Sequence, residues 1–237
     1  MKHRSFISVS ILAIFSALTS CLDNGDAPLY SGSEMCTVIN SRQLRSDNGA
    51  LFNITGTTES SIPDTLKRVF IDCNIMGYTE GTSNEYDVRV IGYSPVMIQD
   101  IKKSGENPEG LGDDGIDIET VWIGGGYLNA LTIITKVMGS DTAHDINLEL
   151  DDIRSNTDTL YLTFRHNAHG ESFDNPDVSG ETIMTAAEYY SFPLKDIIPS
   201  SAKSIILHLK YDWFSNSGDA LLREKETFEG NLTAQGI

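Results

Sequence analysis

The chain has 237 residues, and its 34 acidic residues outnumber its 17 Lys and Arg, which gives a formal net charge of −17. Such a surface repels phosphate backbones and no basic cluster offsets it, so the composition argues against a nucleic-acid-binding protein. The length is sufficient for one large or two small domains, each with its own hydrophobic core.

The first twenty residues have the pattern of an export signal. Lys2, His3 and Arg4 are basic, and residues 6–18 form an apolar stretch interrupted only by small residues. This stretch is shorter than the ~20 apolar residues that cross a bilayer as a permanent helix. It has the length of the apolar region of a cleaved signal peptide.

The signal ends in Leu-Thr-Ser-Cys at 18–21, which resembles the lipobox of bacterial lipoproteins. Cleavage before Cys21 would free a cysteine whose thiol takes a diacylglycerol, and two or three acyl chains anchor a protein persistently. Leu22 stands where an aspartate retains lipoproteins in the inner membrane. We therefore predict a signal peptide at 1–20, a lipidated tether at 21–33, and anchoring to the periplasmic or the surface face of the outer membrane.

Beyond the tether, apolar and polar residues alternate with the period of a β-strand. The alternation is clearest in five runs, which are 69–76, 86–90, 146–150, 160–165 and 205–213. Asn48-Gly49 is a tight-turn signal between two strand-like runs. Many short strands separated by turns predict an all-β protein built from barrels or sandwiches.

The clearest break in this pattern is a segment rich in glycine and acidic residues at 104–115. Such a composition is typical of a solvated connection between domains. We therefore predict a first β-domain at 34–104, a linker at 105–115 and a second β-domain at 116–237.

Two cysteines, Cys36 and Cys73, remain after Cys21 is assigned to the lipid. Both lie in strand-like apolar runs of a protein that we expect in an oxidising compartment, so they could form a disulfide across two strands. Two buried free thiols are the alternative, and the sequence leaves both open.

The polar segment 166–171, with the sequence HNAHGE, is the cluster whose side chains are best suited to binding a ligand. Two imidazoles and a carboxylate, from His166, His169 and Glu171, could bind a divalent transition metal. Residues three apart on a strand face opposite sides, so the two histidines converge only if the chain turns between them. The alternative, which we favour, is that these side chains hydrogen-bond to loop backbone.

Two further segments have compositions that suggest ligand binding. The acids of 113–119 could bind calcium, but they lack the spacing of an EF-hand loop, so we favour a solvated segment. Gly124-Gly125-Gly126 precedes a strand-like run and not a helix, which predicts a tight bend between strands and not a phosphate-binding loop. No nucleophile stands beside a base, so we expect no catalytic residue and no cofactor.

Four segments together resemble the NigD-like lipoproteins of Bacteroidota. They are 69–75 (VFIDCNI), 86–93 (YDVRVIGY), 122–129 (WIGGGYLN) and 162–171 (LTFRHNAHGE). The resemblance implies an N-terminal OB-like barrel followed by a C-terminal immunoglobulin-like β-sandwich. It assigns no catalytic residue and no ligand.

We therefore expect a non-catalytic, lipid-anchored cell-envelope protein that binds another envelope protein or a glycan. OB-like and immunoglobulin-like folds host many functions, so this expectation rests on analogy. The alternative function is a metal-binding protein or metal-dependent enzyme that uses the segment from His166 to Glu171. Aromatic residues on the strands could form a sugar platform but are more often core residues; they are Trp122, Tyr127, Tyr189, Tyr190, Trp213 and Phe214.

Overall fold

The computed structural model describes residues 27–57, 61–105, 108–172, 181–199, 202–216 and 223–235. The chain divides into two compact units, Met1–Tyr93 and Ser94–Ile237, which we call the barrel and the sandwich. The predicted signal peptide and Cys21 lie outside the described residues. Within the described ranges, no helix has the length and apolar character needed to cross a membrane.

The barrel has five strands, which are β1 (Tyr30–Asn40), β2 (Gln43–Ser46), β3 (Leu51–Thr57), β4 (Arg68–Tyr78) and β5 (Glu85–Pro95). The barrel closes in the strand order β1-β2-β3-β5-β4. Strand β1 pairs antiparallel with both β2 and β4, whereas β3 and β5 run parallel. A closed five-stranded barrel agrees with the OB-like unit that the family resemblance implies.

The barrel core follows from the period-2 alternation of its strands. Val69, Ile71 and Cys73 of β4 are almost fully buried, and so are Val88 and Val90 of β5. Successive side chains on a strand point to opposite faces, so these residues fill the interior while their neighbours face outward.

The barrel begins earlier than predicted, inside the segment assigned to the tether. Strand β1 starts at Tyr30, and its first residues pair with β4. The hydroxyl of Ser31 lies 2.6 Å from Oδ1 of Asn74, to which it donates. Polar residues on the outer face of a strand resemble a tether in sequence, which explains why the prediction extended to residue 33.

Positive-φ glycines make the tight turns that the sequence predicts. Gly49, between β2 and β3, has a φ of +90°. Gly125 and Gly126 have φ values of +60° and +85°, and they join Gly124 to its partner Tyr127 in a two-residue hairpin loop. Both central residues of such a loop need positive φ, which glycine adopts without strain. The predicted tight bend at the three glycines is confirmed.

The strands of the sandwich are β6 (Met97–Ile98), β7 (Ile101–Lys103), β8 (Asp117–Gly124), β9 (Tyr127–Val137), β10 (Asp145–Asp151), β11 (Thr159–Asn167), β12 (Ile183–Pro193), β13 (Ser204–Asn216) and β14 (Arg223–Gln235). They form a five-stranded sheet, β14-β13-β11-β10-β7, and a four-stranded sheet, β6-β12-β9-β8. A single helical turn, α1 (Pro108–Leu111), lies between β7 and β8.

Apolar side chains from the two sheets meet in one core. Leu160, Leu162 and Phe164 of β11 face Tyr190 and Phe192 of β12 across it, and all are nearly inaccessible to solvent. The rings of Phe164 and Phe192 meet edge to face with centroids 5.7 Å apart, a favourable aromatic geometry. The all-β prediction of a barrel followed by a sandwich is confirmed, and the immunoglobulin-like assignment stays a prediction.

The division between the units falls at Tyr93 and Ser94, before the predicted linker. Strand β6 pairs with β12, and β7 pairs with β10. Residues 97–103, assigned to the first domain by sequence, therefore belong to the sandwich. Strands of two and three residues are too short to show a periodicity from which their sheet could be assigned.

The predicted linker is docked on the sandwich. Gly112 has a φ of +73°, and an added Cβ would lie 2.3 Å from the backbone oxygen of His166. Leu111 is buried, and Nδ2 of Asn167 donates to the Gly110 carbonyl at 3.3 Å. The glycines that suggest a flexible linker in sequence instead permit close approach of two backbones.

Candidate functional site

The candidate site begins where the buried face of β11 reaches the end of the strand. His166 continues the apolar row that includes Phe164, and it is 1% exposed. Its Nδ1 lies 2.8 Å from the carbonyl oxygen of Gly115. Because a carbonyl only accepts, Nδ1 carries the hydrogen and donates it, which leaves Nε2 of the neutral ring as an acceptor.

His144, which the sequence analysis did not single out, supplies the donor for that acceptor. It is a buried residue of the loop between β9 and β10. Its Nδ1 lies 2.9 Å from Nε2 of His166, and its Nε2 lies 3.5 Å from Oε2 of Glu171. The three side chains and the Gly115 carbonyl thus form one chain of polar contacts, which we call the His144–His166–Glu171 chain.

Burial keeps both imidazoles of this chain neutral near pH 7. Desolvation lowers the pKa of His144 and of His166 from the usual 6.5. A hydrogen bond to Glu171 opposes the shift at His144, and a hydrogen bond to the Gly115 carbonyl opposes it at His166. With one hydrogen on each ring, Nδ1 of His144 donates to His166 and Nδ1 of His166 donates to Gly115. Nε2 of the neutral His144 then has no hydrogen, so its 3.5 Å contact with Glu171 becomes a hydrogen bond only when His144 is protonated.

Glu171 forms the solvent-facing end of the chain. The hydroxyl of Ser140 donates to Oε1, and the backbone N–H of Val137 lies 3.3 Å from Oε2. Hydrogen bonds from Ser140 and Thr142 are the main reason that the pKa of Glu171 is lowered to about 2. The carboxylate is therefore ionised at neutral pH, and it ties the loop after β9 to the turn after β11.

His169 lies on the other side of that turn. It has a φ of +50°, and the following Gly170 has a φ of +91°. Its Nε2 lies 2.7 Å from Oδ2 of Asp145, and both side chains are about half exposed. The chain does turn between the two histidines, but the turn does not bring His169 towards His166.

The metal hypothesis for the 166–171 segment therefore loses its geometric basis. Both ring nitrogens of His166 face hydrogen-bond partners, and His169 is paired elsewhere. In the ranges that the structure describes, no three His, Cys, Asp or Glu side chains are placed to share a metal ion. His144 could not be found from sequence, because only the loop between β9 and β10 brings it to β11.

The acidic segment 113–119 forms structural contacts instead of a calcium cage. Asp113 lies 3.3 Å from the guanidinium of Arg165. Oδ2 of Asp114 accepts a hydrogen bond from the backbone N–H of Ala168 at 2.7 Å. The remaining acids of the segment belong to strand β8. The carboxylates thus point to different partners and do not surround one site. The segment is also not simply solvated, as we expected, because Asp113 and Asp114 contact protein groups.

The two barrel cysteines are buried free thiols, which is the second of the two possibilities that the sequence left open. They lie on neighbouring strands, but Cys36 is opposite Val69 whereas Cys73 is opposite Gly32. A disulfide needs closely opposed residues, and this register separates them by four residues. Burial raises the pKa of both thiols, to about 11 for Cys73, so neither is a reactive thiolate at neutral pH.

The barrel also contains a buried ion pair that the sequence analysis missed. The side chain of Arg68 is completely buried, and its Nη2 lies 2.8 Å and 3.0 Å from the carboxylate oxygens of Asp47. Its Nη1 donates to the hydroxyl of Thr37 at 2.9 Å. An arginine at the first position of a strand carries no sequence signal of burial.

An open groove of about 280 Å³ lies in the sandwich, beside strand β12. Short strand β6 pairs with β12 only at Tyr190 and Ser191, and the groove begins where this pairing stops. Met97, on its rim, is half exposed. The groove is lined by Ser94, Pro95, Met97, Ala187, Glu188 and Tyr189.

The fold and these contacts define a class: a two-unit all-β protein whose polar side chains mainly join loops to strands. The profile of the NigD-like C-terminal beta sandwich domain matches residues 97–221, more than half of the chain. The chain belongs to this NigD-like family. The match begins with β6, at the start of the sandwich as the structure defines it.

Solved structures from Bacteroidales share the fold. A protein of unknown function from Bacteroides vulgatus is 21% identical, with 87% of this chain and 93% of that chain covered and a TM-score of 0.60. A NigD-like immunity protein from Bacteroides caccae is 20% identical, with 84% and 96% covered and a TM-score of 0.60. A protein named as a candidate lipoprotein from Bacteroides fragilis is 12% identical, with 84% and 97% covered and a TM-score of 0.54. No curated protein matches the chain.

Proposed function

We propose that this chain is a non-catalytic, lipid-anchored protein of the outer membrane that binds another protein of the cell envelope. The groove beside β12 is the observation that carries the binding role. It combines exposed side chains with a strand edge, and its volume of about 280 Å³ approaches the lower end of ordinary ligand sites.

The polar cluster favours a structural role over catalysis. The His144–His166–Glu171 chain joins the loop after β9, the turn after β11 and the segment before β8 through hydrogen bonds. A catalytic base needs a free position near a substrate, whereas both nitrogens of His166 are turned to protein atoms.

The aromatic residues favour a protein partner over a glycan. Tyr190 is 2% exposed and belongs to the sandwich core. The other five aromatic residues that the sequence analysis considered for a sugar platform are at most partly exposed. A flat stack of exposed rings, as carbohydrate binding would use, is thus not present among them.

The lipid anchor is supported by the Leu-Thr-Ser-Cys motif at 18–21 and by a structural neighbour named as a candidate lipoprotein. Anchoring places the two units at a membrane surface, where partners move in two dimensions. A weak interaction is sufficient there because the local concentration of the partner is high.

The test is chemical cross-linking of the full lipoprotein in cells, followed by mass spectrometry. The control is Cys21→Ala, which removes the lipid and leaves both units intact. A specific protein that is captured by the wild type and lost in the control is the expected result. Absence of any captured protein at normal abundance and anchoring contradicts the proposal and directs attention to small ligands.

A further inference from the structure

One side of strand β12 is largely open. On its other side, β9 pairs with all eleven residues of β12, from Ile183 to Pro193. Strand β6 covers the open side only at Tyr190 and Ser191. In the described part of the chain, no strand pairs with residues 183–187 on that side.

The backbone geometry explains why the pairing with β6 stops. The N–H of Gln99 donates to the carbonyl of Ser191 at 3.2 Å, so odd-numbered residues of β12 direct their backbone groups towards β6. Four residues earlier on both strands, the same alternation would place the nitrogen of Pro95 opposite the carbonyl of Ala187. Proline has no N–H, so the ladder ends there and the chain diverges, which leaves the groove.

The open stretch lacks the protection that other sheet edges of the sandwich carry. Charged residues at an edge discourage the addition of a foreign strand. Glu226 and Glu229 of edge strand β14 are exposed, and edge strand β8 carries Asp117 and Glu119. Residues 183–187 read Ile-Met-Thr-Ala-Ala, with no charge and no proline.

The side chains around this stretch suit an extended peptide. Thr185 and Ala187 are exposed, so an incoming strand would meet little steric hindrance. Met97 and Met184 are 50% and 44% exposed and offer flexible apolar contacts. Main-chain hydrogen bonds give affinity in strand addition, and alternate side chains entering a groove give specificity.

The net negative charge of the sandwich favours a positively charged partner. From Ser94 to Ile237 there are 10 Lys and Arg against 24 Asp and Glu, a net charge of −14. A second copy of the chain would bring the same negative charge, so edge-to-edge pairing of two copies is opposed. A basic segment is attracted instead.

We infer that residues 183–187 of β12 and the adjoining groove bind an extended, Lys- and Arg-containing segment of another envelope protein by strand addition. The inference rests on the proposed binding function and names its site and the class of its partner. Five residues of strand correspond to about 17 Å, enough for a short linear segment.

The first test replaces single residues of the full lipoprotein with the photo-cross-linking amino acid p-benzoylphenylalanine and illuminates living cells. Thr185 is the test position. Thr233, an exposed threonine on edge strand β14, is the matched control. We expect one protein to be captured from Thr185 and not from Thr233, and the linked peptide to be rich in Lys or Arg.

The second test compares Ala187→Lys with Ala187→Glu, which alter size similarly but differ in charge. The readout is the yield of the same partner after chemical cross-linking of cells, with unfolding measured to establish that both variants fold. We expect Ala187→Lys to lower the yield about tenfold, because the added positive charge repels a basic segment. We expect Ala187→Glu to change the yield less than about twofold.

The outcomes separate the inference from the proposed function. A partner captured by chemical cross-linking but not from Thr185, or equal loss in both Ala187 variants, overturns the strand-addition site and leaves the binding function standing. Capture of a second copy of this chain, or of a glycan, also overturns the inference. Absence of any partner by every route overturns both.

Discussion

The barrel and the sandwich bury polar groups in different ways. The barrel encloses a charged pair, with the Arg68 guanidinium fully buried against the Asp47 carboxylate. The sandwich encloses two neutral imidazoles, His144 and His166, and leaves the charge on Glu171 near the surface. Removing one partner therefore leaves a buried charge without its counter-charge in the barrel, but only a neutral polar group without its partner in the sandwich. The stability of the barrel should be the more sensitive to such substitutions.

The chain contains a separate reporter for each unit. Its two tryptophans, Trp122 and Trp213, both lie in the sandwich, so fluorescence follows that unit. The free thiols of Cys36 and Cys73 lie in the barrel and are buried, so they become reactive when the barrel opens. In a Cys21→Ala background, urea unfolding can thus be followed in both units of one sample.

The largest effect is expected for Arg68→Met. Loss of the guanidinium leaves Asp47 without its cation in a mostly buried position, which should lower the free energy of unfolding of the barrel by about 3 kcal/mol. Thiol labelling should shift to much lower urea, whereas the tryptophan transition should not move. Arg45→Met, at an exposed arginine of the same unit, is the control and should change little. Equal shifts of both reporters would contradict independent units.

A smaller effect is expected for His166→Ala in the sandwich. The substitution leaves the Gly115 carbonyl and Nδ1 of His144 without their partner, at a cost of about 1–3 kcal/mol for buried neutral groups. The tryptophan transition should shift and thiol labelling should not. His169→Ala, which removes a half-exposed pair with Asp145, should cost less than about 1 kcal/mol. If His169→Ala is the more damaging change, the His144–His166–Glu171 chain is not what holds the loops.

The smallest effect is expected from a change of pH, which should shift the stability of the two units in opposite directions. In the sandwich, the pKa of His144 and of His166 is lowered by burial, so acid protonates these groups in the unfolded chain first. Their contribution is complete above pH 6.5 and declines as the pH falls below it. The contribution of Glu171, whose pKa is about 2, is complete above its usual 4.5 and is lost between those values.

Glu34 gives the barrel the opposite dependence. Burial and the nearby Asp47 carboxylate raise its pKa from 4.5, so the folded barrel holds that proton more tightly than the unfolded chain does. Stability from this group is greatest below pH 4.5 and is lost as the pH rises through the raised pKa. Between pH 7 and pH 5, the tryptophan transition should move to lower urea while thiol labelling, with a reagent that reacts in acid, does not follow. Parallel movement would contradict the assignment.

The period of the sequence predicted the strands but not their contacts. Leu160, Leu162 and Phe164 alternate with polar residues, and a period of two is sufficient to assign a half-buried strand. The role of His144 depends on a loop that folds onto a strand more than twenty residues later, which leaves no local signal. The open edge of β12 depends on which residue lies opposite Ala187, and register is a property of the sheet and not of either strand alone.

The linker prediction failed for a related reason. Gly112 and Asp114 have the residue types of a solvated connection, yet one allows a close backbone approach and the other accepts a hydrogen bond from Ala168. Glycine and aspartate are used for flexible links and for tightly packed turns alike. Composition alone cannot separate these two uses, because the difference lies in what the segment packs against.

The docked segment around α1 has a practical consequence for anyone who labels or dissects the protein. An epitope tag or protease site inserted at 108–115, where composition invites it, would be wedged between Gly112 and the backbone of β11. Insertions are tolerated at exposed turns that make few contacts. The turn after β10 meets that description, since Ile153 is 94% exposed, and a tag placed there would leave both sheets of the sandwich continuous.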